Sequence, residues 1–152
     1  MPVILIDTNI EGHGAHIWMR MQSAEWRDFT TALDVTFRMF PEVGLDPATP
    51  DHVVWRFCQT NGFYLLTSNR NEETPDSLEA TLHREGTPTS LPVITLPLPD
   101  RVYHSPTFLE RVVEKILDYM LYADNIRGAG RLYLPRVSPG NRPEIDTGER
   151  PA

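Results

Sequence analysis

The chain has 152 residues, 40% hydrophobic and 23% charged, which bounds it to one domain whose core is large enough to need no staples. A single cysteine, Cys58, excludes an intrachain disulfide and a cysteine-based zinc site. A formal net charge of −7 argues against a broad basic surface for nucleic acid.

Val3-Ile4-Leu5-Ile6 is a short apolar run that stops at Asp7-Thr8-Asn9, the pattern of a buried parallel strand over residues 2–6. Asp7 interrupts the run too early for a signal peptide or a membrane span, so a reduced cytoplasm is the expected location. A helix is predicted over residues 15–21, with Gly12 and Gly14 weakening its start. Residues 26–33 fit a short helix or a loop. Val35, Phe37 and Met39 alternate with Thr36 and Arg38 in a half-buried strand over 35–40, and 41–47 is a loop.

Thr49 as N-cap, Pro50 at the first helical position and Asp51 in the first turn predict the next helix. Val53, Val54, Phe57 and Cys58 form its apolar face, which makes Cys58 a buried structural thiol, and Asn61-Gly62 closes it. A strand at 63–67 ends in Thr67-Ser68-Asn69-Arg70-Asn71. Asp76-Ser77-Leu78-Glu79 has the spacing of a capping box and opens a helix to residue 84. A fourth strand is expected at 92–96. The helix over 106–122 carries Phe108, Val112, Val113, Ile116, Leu117, Met120 and Leu121 as its stripe, and 131–135 adds a short edge strand. Strands alternating with helices imply a three-layer α/β/α domain over residues 1–135, with a mainly parallel sheet of four or five strands. Residues 136–152, rich in Pro, Gly, Ser and Arg, read as a disordered tail.

In open α/β sheets, ligands sit beyond the carboxyl ends of the strands. If the strands ending at Ile6 and Thr67 are neighbours, Asp7, Asn9, Asn69 and Asn71 crowd one crevice. A carboxylate at the end of an apolar strand is costly without partners or a metal; the plainer reading is a turn-forming aspartate. Asp51 and Glu79 are each explained by a helix start, as is Asp76. Glu11 reads as a capping residue, and Asp46 and Glu42 as loop carboxylates. Asn69-Arg70-Asn71 can ligate a cation through amide oxygens and grip phosphate through Arg70, or form a polar turn. His13 and His16 are three apart but lack a third zinc ligand. Trp18, Trp26 and Trp55 are core residues by default, with a homodimer surface as the alternative.

Three segments together resemble the PIN-like nucleases, in particular those that begin with Asp-x-Asn. They are Ile4-Leu5-Ile6-Asp7-Thr8-Asn9-Ile10, Val43-Gly44-Leu45 leading to Asp51-His52-Val53-Val54-Trp55-Arg56-Phe57, and Tyr64-Leu65-Leu66-Thr67-Ser68-Asn69-Arg70-Asn71. The likeness covers residues 3–97. It implies a Mg²⁺- or Mn²⁺-dependent ribonuclease, a hydrolase in which an acidic cluster holds ions that activate water against a phosphodiester. RNA is then the substrate, with an antitoxin protein as partner if the chain is the toxin half of a toxin–antitoxin pair. Net negative charge is compatible with this, because bound cations reverse the local field. By position, Asp7 and Asp51 match the family's metal-binding acids. Asn69 and Asn71 fall where the family has aspartates, so Asn69 is an amide ligand and both are candidate catalytic positions. Arg70 is a phosphate contact, and Asn9, Asp76 and Glu79 are auxiliary groups. The resemblance also admits a catalytically impaired module that binds RNA or protein.

Overall fold

In the computed structural model the described residues are 1–68 and 77–135. Asn69, Arg70, Asn71, Asp76 and the expected tail lie outside them. Five strands form one parallel sheet: β1 Val3–Ile6, β2 Thr36–Met39, β3 Phe63–Thr67, β4 Val93–Thr95 and β5 Arg131–Tyr133, in the order β2-β1-β3-β4-β5. The helices are α1 Glu11–Met21, α2 Arg27–Ala32, α3 Asp51–Asn61, α4 Leu78–Glu85, α5 Arg101–His104, α6 Pro106–Leu121 and α7 Ala123–Ile126. The architecture is the three-layer α/β/α expected from the alternation of elements.

The alternation of side chains along each strand sorts the helices. Ile4, Ile6, Tyr64, Leu66 and Ile94 face one layer, where they meet Ile17 and Met21 of α1 and Val112, Val113 and Ile116 of α6. Leu5, Leu65 and Val93 face the other, against Val54, Trp55 and Cys58 of α3 and Leu78 of α4. Central strands buried on both faces explain why their sequences are continuously apolar.

Several local expectations shift for identifiable reasons. α1 begins at Glu11 and passes through both glycines; a Cβ on Gly14 would lie 2.5 Å from Cγ2 of Ile6, so that glycine lets the helix close on β1 rather than weakening it. Thr49 does not cap α3: its hydroxyl donates to the carbonyl of Asp46 (2.6 Å), and Pro50 takes the cap position without a side-chain bond. The apolar face of α3 is rotated toward Trp55, leaving Val53 exposed. Gly62 closes this helix in the left-handed conformation (φ 71°), as its position predicts. The cap of α4 is Ser77, whose hydroxyl accepts from the amide of Ala80 (3.1 Å), one residue later than the Asp76–Glu79 box required. In α6, Tyr119 joins the buried stripe and donates its hydroxyl to the carbonyl of Tyr133 in β5 (2.9 Å), while Leu121 points outward.

Residues 26–33 resolve as a short helix, Arg27–Ala32. Trp55 is buried; Trp18 and Trp26 are partly buried against the core.

Candidate active-site crevice

The strand order reverses direction between β1 and β3, the point where a doubly wound sheet opens a crevice at its carboxyl rim. The two strands pair in register, Ile6 opposite Leu66, and the Asp7 amide donates to the carbonyl of Leu66 (2.9 Å). Asp7 therefore extends the ladder one residue beyond β1 and stands beside Thr67. The Thr67 hydroxyl, fully buried, donates to Asp7 Oδ2 (2.7 Å), and the Thr8 amide donates to Oδ1 (2.8 Å). The side-chain Nδ2 of Asn9 donates to Ser68 Oγ (2.9 Å), a second tie between the same two strand ends.

α3 starts at this rim because it follows β2 and must return to the opposite end of the sheet before β3. Its first residue, Asp51, carries a charge near enough to act on Asp7. Burial holds the Asp7 carboxyl above the usual carboxylate range; the Thr67 hydroxyl opposes this, and the charge of Asp51 adds to it. The same field reaches Cys58 below, whose thiol is pushed up to about 12 by burial first and by Asp7 second. Cys58 is an inert core thiol.

Of the predicted site residues, β1, β3 and α3 bring together Asp7, Asn9 and Asp51. Glu79 is directed elsewhere: Oε1 accepts from Arg131 Nη2 (2.9 Å), and Oε2 lies 3.1 Å from Nε2 of His83. Asp46 accepts the Ala48 amide (2.7 Å) as a loop carboxylate, whereas Glu42, expected in a loop, lies in the 3-10 helix Phe40–Val43 and caps it by accepting the Met39 amide (2.7 Å). Glu11 occupies the first turn of α1.

Sequence reasoning missed three participants at this rim. In the sequence Thr67 reads only as a strand end, yet its buried hydroxyl is the main donor to Asp7. Thr95 occupies the matching place on β4, in register with Thr67, and accepts from Arg131 Nη1 (2.7 Å). Arg131 thus spans Thr95 and Glu79 as a largely buried guanidinium. The only sequence signal was a polar residue at the end or start of each short strand.

Among the described residues, no three His, Cys, Asp or Glu side chains are gathered as a metal-holding group. Asp7 and Asp51 nevertheless offer two hard oxygen donors whose mutual repulsion a cation would relieve. Two carboxylates are within the range that Mg²⁺ uses when water and substrate phosphate complete its shell. Among the described residues no helix is long and apolar enough to cross a membrane. Comparisons with protein-family models, with curated proteins and with solved structures find no match to this chain.

Proposed function

We propose that the protein is a PIN-like, metal-dependent ribonuclease whose site is the β1–β3 crevice. The observation that carries this reading is Asp7, a carboxylate at the end of the apolar strand β1 held by Thr67 and Thr8 at the β1–β3 rim, with the charge of Asp51 at the start of α3 acting on it. Asp7 is oriented by Thr67 and Thr8, so both carboxylate oxygens have fixed directions. Asp51 approaches from a different layer and supplies the second negative charge. A Mg²⁺ or Mn²⁺ ion supplies, when bound, an activated water and neutralisation of phosphate charge. Asn69 and Asn71, by sequence position, contribute amide oxygens, and Arg70 a phosphate contact. The toxin role, with a protein antitoxin as partner, rests on the family likeness alone.

The decisive measurement is calorimetric titration with Mn²⁺ of the parent and of Asp7→Ala, alongside cleavage of a labelled single-stranded RNA. The expected result is Mn²⁺ binding that disappears in the variant, and cleavage that follows it. A parent that binds no Mn²⁺ removes the chemical basis of the proposal. The presence of Asn69 and Asn71 where the family has acids favours a second reading, a non-catalytic binding module. RNA binding without cleavage in either ion would select it.

A further inference from the structure

A ring cluster at the same rim is left unused by the crevice. Tyr103, on the short α5 that follows β4, lies beside two histidines of α1, with centroids 4.9 Å from His13 and 5.1 Å from His16. His104 stands edge-on to it at 6.5 Å. The anchor of α5 is Val102, buried in the core; Tyr103 itself remains 47% exposed. Its hydroxyl reaches the first turn of α1, where a Cβ on Gly12 would lie 2.8 Å from the oxygen. His13 is in turn held by Asp100, Nε2 to Oδ1 at 2.7 Å. The ring is therefore fixed from two elements while about half of its surface faces water.

Core packing does not account for an aromatic ring fixed in this way. His13, His16 and His104 lie against Tyr103, with Asp100 paired to His13, while the Arg101 guanidinium sits over the Phe108 ring instead. Only the turn Thr8–Ile10 separates Asp7 from α1, so ring and crevice share one rim. A rigid, half-open aromatic framed by imidazole rings suits the flat face of a base. Base–aromatic stacking is also tolerant of sequence.

We propose that the open face of Tyr103, framed by His16 and His104, stacks a nucleobase of the RNA whose phosphodiester enters the Asp7–Asp51 crevice. This rests on the ribonuclease reading above, and it adds a position where substrate is gripped through a base.

The test is fluorescence anisotropy with a labelled short oligouridine on the full chain, with Ca²⁺ replacing Mg²⁺. Tyr103→Ala is expected to weaken binding about ten-fold, the loss of one stacked base, whereas Tyr103→Phe keeps the parental affinity. An abasic oligomer should bind the parent as weakly as it binds Tyr103→Ala, and this comparison with intact RNA needs no variant to fold. If the parent binds intact and abasic RNA equally, or Tyr103→Ala binds like the parent, the stacking surface is refuted while the RNA reading stands. If the parent binds no RNA, both fall together.

Discussion

Asp7 and Glu110 are both partly shielded carboxylates on this molecule, and their surroundings drive them in opposite directions. Glu110, on α6, accepts two bonds from Arg20 (2.6 and 2.9 Å) and one from the indole of Trp26 (3.0 Å). The bond to Arg20 is the main reason its carboxyl lies below the usual range. Among the described residues the donors to Asp7 are neutral, Thr67 and Thr8, and the charge that acts on it is another acid, Asp51. Glu110 is satisfied and clips α1 to α6. Asp7 is oriented but, among the described residues, left short of positive charge, the condition expected where a cation or a substrate is to supply it.

The largest effect that would break this contrast is on chemistry. Asp7→Asn keeps the size of the side chain and removes its charge, and RNA cleavage in Mn²⁺ should fall by at least about 100-fold, the order of loss expected when a directly metal-held group is altered. Glu110→Gln should leave cleavage unchanged. Equal cleavage by the parent and Asp7→Asn would show that the two carboxylates do not differ in kind. Next in size is the cost of Glu110→Gln to stability, about 1 kcal/mol at pH 7: the pair is bidentate, but partly open to solvent screening. Urea denaturation of parent and variant measures it, and no loss would mean that the clip is ornamental.

The contrast was only half legible in the sequence. The strand ending at Ile6 and the strand at 63–67 were readable because central parallel strands must be apolar throughout, and Gly62 was readable because a helix stop there needs the left-handed region. Asp7 stood out because a carboxylate breaks an apolar run. The Arg20–Glu110 clip joins residues ninety positions apart, and no local pattern reports such a partner. Thr67 was hidden for the same reason, since its hydroxyl matters only once β1 lies beside β3. The box at Asp76–Glu79 slipped by one residue because Ser77 satisfies the amide of Ala80, and Glu79 turns to Arg131. Gly14 reads as a helix breaker until Ile6 is seen beneath it.

Adding charge to the segment that follows β3 in sequence should sharpen the contrast from the other side. Asn69→Asp places an acid at a position where PIN-like nucleases have one, and if the proposed reading holds Mn²⁺ affinity by calorimetry should rise several-fold, an order of magnitude at most for one further hard ligand. An unchanged affinity would place Asn69 outside the ion's ligands.

The smallest expected effect concerns pH, and its sign differs between the two carboxylates. Folding raises the proton affinity of Asp7, so the stability it contributes is complete below about 3.8, its ordinary value, and is lost as pH rises through the folded value. At pH 7 its ionised form is a net cost, and Asp7→Asn should unfold at higher urea than the parent, with the advantage closing as the medium is acidified. Glu110 behaves in reverse. Its folded value is lowered, so its contribution is present above about 4.5 and disappears as pH falls through the folded value, and the deficit of Glu110→Gln should vanish there. Paired denaturation curves at pH 7 and at acid pH decide the matter. If Asp7→Asn is instead destabilised at neutral pH and recovers in acid, the charge of Asp7 is already compensated, and the crevice has no deficit for a cation to fill.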